Sequence, residues 1–80
     1  MKGHYFWTYR RGTSGPKYEG WFRKDEEDIA DYVAIFYPFR RVYRLFHVLD
    51  PRVYNFPETV RDSEEMKKYI ETLLRLKGMV

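Results

Sequence analysis

Residues 4–23 read HYFWTYRRGTSGPKYEGWFR, two segments rich in aromatic residues on either side of the turn cluster GTSGPK. Glycine and proline between two such segments are typical of a β-hairpin. We expect strands over residues 4–11 and 18–24, in a register that places Arg11 opposite Tyr18. The hairpin therefore predicts that a β-sheet lies at the centre of the fold.

Side chains alternate between the two faces of such a hairpin. The face that we expect to form the core comprises Tyr5, Trp7, Tyr9 and Phe22, with Tyr9 lying over Gly20. The other face comprises Phe6, Thr8, Arg10, Trp21 and Arg23, with Arg10 opposite Glu19. Aromatic rings and guanidinium groups are interleaved on this second face. Such a surface can stack single-stranded bases and hold phosphates if it is left uncovered.

Residues 42–49, VYRLFHVL, predict a further strand. Both of its sides are mainly apolar, which is typical of a central strand contacted on both faces. Arg44 and Phe46 lie on the side that extends the aromatic and arginine surface. The apolar character of both sides nevertheless favours a cover over that surface, either the C-terminal helix or a second copy of the chain.

Residues 25–37 change to a helical period. Ile29, Tyr32, Val33 and Phe36 follow the spacing i, i+3, i+4, i+7 of an amphipathic helix. The acidic segment DEED suits the start of a helix, because the helix dipole stabilises negative charge there. Pro38 ends the pattern. We therefore predict a helix over residues 25–37.

The C-terminal part predicts a second helix. Asp62 and Glu65 have capping-box spacing. The apolar stripe that follows comprises Met66, Tyr69, Ile70, Leu73 and Leu76. Before this helix, residues 51–61 are bracketed by prolines and are compatible with a short edge strand or an ordered loop. The expected fold is α+β with the order ββαβ(β)α: one domain over residues 1–80, with a small antiparallel sheet of three or four strands and two helices packed on it.

Composition restricts the chemistry that this chain can perform. The chain has 80 residues and no cysteine, so disulfides and thiolate metal sites are excluded. Its 2 Trp, 8 Tyr and 6 Phe residues offer a core of large rings instead. His4 and His47 belong to no metal-binding spacing. We therefore expect no metal, no cofactor and no enzymatic activity, and a small hydrolase around His47 and Asp50 is a minor alternative.

The sequence gives weaker indications of the protein's cellular location and of its source. No apolar run approaches the length of a membrane span and no signal peptide is evident, so we expect a cytoplasmic protein without a membrane partner. Glutamine is absent and Asn55 is the only asparagine. This composition resembles that of proteins from hyperthermophiles, and the small size suits a mobile element or a compact genome.

Charge and ring content together predict a binding protein. The net charge is +3, with six basic residues and one acidic residue before residue 25. Our first hypothesis is an adaptor or inhibitor that docks an aromatic and arginine surface on another protein, and the alternative is a binder of RNA or single-stranded DNA. A homodimer is a further expectation. The candidate binding residues are Phe6, Arg10, Trp21, Arg23, Arg40, Arg41, Arg44, Tyr54 and Phe56, of which Phe56 and Tyr54 could equally form a lid on the core.

Overall fold

The computed structural model describes residues 4–13, 15–23, 32–46 and 52–76. Its elements are β1 (His4–Gly12), β2 (Gly15–Arg23), β3 (Tyr32–Tyr37), β4 (Val42–Leu45), β5 (Tyr54–Asn55) and α1 (Ser63–Leu76). The strands form one antiparallel sheet in the order β1-β2-β3-β4-β5. An antiparallel sheet with a C-terminal helix confirms the α+β class. The finer prediction of two helices on three or four strands is wrong, since the described part has five strands and one helix.

The β1–β2 hairpin has a different register from the predicted one. Tyr9, not Arg11, lies opposite Tyr18, and the ladder continues to the pair Gly12 and Gly15. The strands thus extend into the predicted turn cluster, where the positive φ of Gly15, 102°, uses a backbone conformation that favours glycine. The observed pairing is shifted by two residues relative to the predicted pairing. Because side chains alternate with a period of two, the assignment of residues to the two faces is unchanged.

The corrected register places Trp7, not Tyr9, over Gly20. A Cβ atom at Gly20 would lie 2.8 Å from the Trp7 ring, so the ring packs directly on the backbone of β2. The predicted core face is confirmed for Tyr5, Trp7 and Phe22, which pack against the buried core. It is wrong for Tyr9, which is exposed.

Residues 32–37 form β3, so the predicted helix over residues 25–37 is wrong for this part, and residues 25–31 lie outside the described residues. The strand lies between β2 and β4. Its four central residues, VAIF, are all buried. A short apolar run of this kind fits a buried helix and a buried central strand equally well by period alone. Here, pairing with the two neighbouring strands, β2 and β4, stabilises the extended conformation over a helical one.

The β4 and β5 strands complete the sheet. β4 begins at the predicted residue, and positions 47–49 of the predicted strand lie outside the described residues. The turn before it contains Arg41, whose φ is 56° and whose backbone N–H donates to the Tyr37 carbonyl at 2.8 Å. Of the two alternatives for residues 51–61, the structure shows the short edge strand, with Tyr54 opposite Tyr43.

The helix α1 confirms the predicted C-terminal helix. The backbone N–H of Glu65 donates to the Asp62 carboxylate at 2.9 Å, and the Glu65 side chain accepts from the Arg61 backbone at 2.7 Å. The predicted apolar stripe was wrong at one position, because Leu76 is exposed and Leu74 is buried instead. The buried core shared by the helix and the sheet comprises Val33, Ala34, Phe36, Tyr43, Leu45, Phe56, Val60, Met66, Ile70 and Leu74.

Candidate functional site

The sheet has one face packed against α1 and one face turned away from it, here called the outer face. The Trp7 indole N–H donates to the Glu71 carboxylate of α1 at 2.8 Å, which fixes the helix on the side of the odd-numbered β1 residues. Alternation and the ladder pairs then define the outer face as Phe6, Thr8, Arg10, Lys17, Glu19, Trp21, Tyr32, Ile35, Tyr37, Val42 and Arg44. In the described part of the chain, no helix lies over it.

An aromatic row crosses the outer face from β1 to the end of β4. It consists of Phe6, Trp21, Tyr32 and Phe46. Phe6 lies opposite Trp21 in the ladder, and the Trp21 and Tyr32 ring centroids are 4.2 Å apart. Tyr32 and Phe46 continue the row at 6.0 Å. The two end rings are accessible, with Phe6 46% and Phe46 38% exposed.

A β-bulge in β3 is what brings Tyr32 into this row. Gly20 lies opposite Ala34, but the next residue, Trp21, lies opposite Tyr32, which leaves Val33 as the extra residue. Val33 and Ala34 both belong to the buried core. Strict alternation from Ala34 would have turned Tyr32 toward the core instead. The bulge therefore redirects one aromatic side chain to the outer face, as bulges near binding sites often do.

A buried carboxylate, Glu19, lies beside the aromatic row. It is 2% exposed, although it belongs to the outer face. It accepts a hydrogen bond from the Arg10 Nε at 2.8 Å, and the Lys17 Nζ lies 3.3 Å away. Burial alone would raise the pKa of Glu19, but hydrogen bonds from Tyr32, Arg10 and Lys17 outweigh it and lower this pKa below its ordinary value. Glu19 therefore stays ionised and holds two basic side chains next to the aromatic row.

Arg44 provides a third cation on the outer face. It lies opposite Ile35 in the ladder, and its guanidinium carbon is 5.2 Å from the centroid of the Phe46 ring. Its Nε is buried and has no hydrogen-bond partner in the part of the chain that the structure describes. Against Glu19, the outer face thus carries Arg10, Lys17 and Arg44, and the balance of these described side chains is positive.

Three other predicted arginines lie at the margins of this face. Arg40 is exposed in the β3–β4 turn, with its guanidinium carbon 5.7 Å from the Tyr37 ring centroid. Arg41, in the same turn, donates to the Pro57 carbonyl at 2.8 Å and so helps to hold the segment after β5. Arg23 lies opposite His4 at the far end of the hairpin.

The two predicted aromatic residues of the proline-bracketed segment lie on the other side of the sheet. Phe56 is buried and packs edge-on against Phe36, with ring centroids 5.8 Å apart. Tyr54 stacks on Tyr43 at 5.5 Å. Burial, together with a hydrogen bond to Tyr69, raises the pKa of Tyr43. The lid alternative therefore describes Phe56 and Tyr54 better than a binding role, and neither joins the outer face.

Sequence reasoning missed Tyr32 and Lys17 on this face. Tyr32 was assigned to a helical stripe, and nothing in the sequence marks the bulge that redirects it. Lys17 was assigned to the turn cluster GTSGPK, although a hairpin closed by the two residues between Gly12 and Gly15 would have placed it on a strand. Proline at position 16 is compatible with that shorter loop, because alternate residues of a strand donate no hydrogen bond to a given neighbour.

Other kinds of site have little support. Within residues 4–13, 15–23, 32–46 and 52–76, no three His, Cys, Asp or Glu side chains are grouped so that they could hold a metal ion. His47 and Asp50, the alternative hydrolytic pair, lie outside the described residues. Among the described helical residues, none form a helix with the length and apolar character needed to cross a membrane.

Comparison of the chain with protein-family models, with curated proteins and with solved structures gave no match.

Proposed function

We propose that this chain is a non-enzymatic binding protein that holds single-stranded nucleic acid on its outer face. Bases stack on the aromatic row, and Arg10, Lys17 and Arg44 lie near the phosphates. The observation that carries the proposal is the aromatic row, whose two end rings are accessible on a face with a positive balance of charge. Sheet surfaces with this combination are a recurrent platform for unpaired bases.

The spacing of the aromatic row suits a flexible strand of nucleic acid. Neighbouring strands of a sheet lie about 4.8 Å apart, so rings on successive strands offer successive stacking positions. A duplex keeps its bases stacked on one another, whereas a single strand can turn each base toward a ring. The row therefore favours single-stranded over double-stranded ligands.

The basic residues supply attraction for a polyanion. Arg10 and Lys17 are held at Glu19, and Arg44 lies over the Phe46 ring. Each phosphate that such a cation neutralises releases counterions, so affinity should fall as salt rises. Because Glu19 offsets part of this charge, we expect a shallow slope of log affinity against log salt, corresponding to about two or three phosphate contacts.

A protein partner is the second candidate, with the chain acting as an adaptor or inhibitor. The specific observation in its favour is the same Glu19, which neutralises part of the positive charge at the centre of the face. Trp, Tyr and Arg are also the residue types that dominate interface hot spots. Binding of this kind would persist after nuclease treatment and at moderate salt.

Substitution of Phe6 tests the proposal. Phe6→Ala removes one accessible ring of the aromatic row, and Phe39→Ala is the matched control, because Phe39 is 83% exposed in the β3–β4 turn. Stacking of a base on a ring contributes about 1 to 3 kcal/mol. We therefore expect Phe6→Ala to weaken binding of a fluorescent oligouridine or oligothymidine of about ten nucleotides by at least fivefold.

The control variant should bind like the wild type, and circular dichroism should show that both variants fold. No binding of any single-stranded oligonucleotide by the wild type would overturn the proposal. Equal weakening by Phe6→Ala and Phe39→Ala would also contradict it, because stacking would then not depend on the aromatic row. Recovery of a nuclease-resistant protein partner in that case would support the second candidate.

A further inference from the structure

The strand β1 is a long edge of the sheet. Within the described part of the chain, β2 is its one neighbour. Its nine residues, His4–Gly12, pair with β2 without a register shift and include no lysine and no proline. The opposite edge is β5, a strand of two residues. Natural sheets usually protect long edges with charged residues, lysine above all, or with proline, bulges or short strands, and of these β1 has only Arg10 and Arg11, near one end.

The pairing with β2 determines which backbone groups of β1 point to the free edge. Arg11 lies opposite Pro16, which has no N–H to donate. Arg11 and Pro16 therefore form a non-hydrogen-bonded pair. Hydrogen-bonded and non-hydrogen-bonded pairs alternate along an antiparallel ladder. The odd-numbered residues from Tyr5 to Arg11 then direct their backbone N–H and C=O groups away from β2. None of them is proline, so a further strand can pair along the whole of β1.

We propose that the occupant of this edge is a second copy of the chain, whose β1 pairs antiparallel with the first. The register that pairs all nine residues places Thr8 on the two-fold axis. In that register Arg10 lies opposite Phe6 of the other copy, and Arg11 lies opposite Tyr5. Each arginine thus faces an aromatic ring, which favours cation–π contact, and no two like charges are directly opposed.

This dimer joins the two sheets into one without covering either outer face. A two-fold axis between antiparallel edge strands is perpendicular to the sheet, so both outer faces lie on the same side and both α1 helices on the other. The aromatic rows of the two copies then share one continuous surface. The proposed dimer does not depend on nucleic-acid binding by this surface, because it forms through the β1 strands. It can therefore be measured in the absence of ligand.

Cysteine substitution tests both the dimer and its register, because the chain has no cysteine of its own. Thr8→Cys places two thiols opposite each other across the axis in a non-hydrogen-bonded pair, where the Cα atoms are about 4.5 Å apart and a disulfide can form. Arg11→Cys is the matched control, since the register separates its two copies by six residues along the strands, about 20 Å.

We expect the wild type to sediment as a dimer at high micromolar concentration. Thr8→Cys should become a covalent dimer under mild oxidation, and Arg11→Cys should remain uncrosslinked. A wild-type monomer throughout the micromolar to millimolar range would overturn the proposal. Equal crosslinking of the two variants would overturn the register. If Thr8→Cys does not fold, hydrogen exchange of the wild type decides: protection of the Tyr5, Trp7 and Tyr9 amides must rise with concentration, and its constancy would contradict the dimer.

Discussion

Gly20 determines how closely the Trp7 ring can approach the sheet. The ring fills the space that a side chain at position 20 would need, since a Cβ atom there would lie 2.8 Å from the nearest ring atom. Trp7 also donates to Glu71, so it cannot move aside without losing a link to α1. This one position therefore couples the hairpin to the helix.

Gly20→Ala should lower the free energy of unfolding by about 1 to 3 kcal/mol, because the added methyl group overpacks a site filled by a ring. Urea denaturation measures the change. In the background of Trp7→Phe, whose smaller ring leaves room, the same substitution should cost at least about 0.5 kcal/mol less. Equal costs in the two backgrounds would show that Trp7 does not lie over Gly20.

Glu19 should make stability depend on pH. Its folded-state pKa is lowered, since hydrogen bonds from Tyr32, Arg10 and Lys17 outweigh the effect of burial. Its contribution is therefore fully present above its unfolded pKa of about 4.3 and is lost as the pH falls through the lower folded pKa. Glu19→Gln should remove this acid-dependent part and lower stability at neutral pH by about 1.5 to 3 kcal/mol.

Urea denaturation at a series of pH values measures both effects. Glu58→Gln is the control, because Glu58 is an exposed glutamate. It should leave stability at neutral pH within about 0.5 kcal/mol of the wild type. A Glu19→Gln profile that falls as steeply in acid as that of the wild type would contradict the assigned role of this carboxylate.

At the scale of elements, α1 was predictable and β3 was not. A capping residue, a 3.6-residue stripe and an acidic first turn all indicate the same helix. In β3, the bulge at Val33 turns residues 33, 34 and 36 toward the core shared with α1, whereas Tyr32, Ile35 and Tyr37 belong to the outer face. The core-facing residues of such a strand are spaced one and two positions apart, and this irregular spacing resembles the apolar stripe of a helix. Pairing with distant strands, which the local sequence does not encode, decides the outcome.

The start of α1 should depend on Asp62. Its carboxylate accepts from the Glu65 backbone N–H at 2.9 Å. Asp62→Ala should lower the free energy of unfolding by about 0.5 to 2 kcal/mol, because a backbone donor loses its partner. Asp62→Asn keeps a capping oxygen and should unfold close to the wild type. Thermal unfolding followed by circular dichroism compares the two, and equal losses would indicate that charge rather than capping is responsible.

At the scale of the whole molecule, the division into two faces was predictable even though the register was not. The hairpin is displaced by two residues from the predicted pairing, and a displacement by an even number preserves the side to which each residue points. Phe6, Arg10 and Trp21 therefore lie on the outer face as expected. The binding role first considered for Phe56 could not be assessed from sequence, because its burial depends on packing against β3 and β4.

In the described part of the chain, no helix lies over the outer face, because residues 32–37 form a strand and not part of a helix. Two helices, one on each side of the sheet, would have left little surface for a macromolecule. In the described part of the chain the segment of residues 32–37 is a strand, so α1 covers one side and the aromatic row lies on the other. The proposal thus depends on the identity of β3 as a strand as much as on the exposed rings.

Amide chemical-shift mapping during titration with a single-stranded oligouridine decides whether the outer face binds nucleic acid. We expect the largest shifts at Phe6, Trp21, Tyr32, Arg44 and Phe46, and little change at the residues of α1. Shifts concentrated on α1 or β5, or none at saturating oligonucleotide, would contradict the assignment of binding to the outer face.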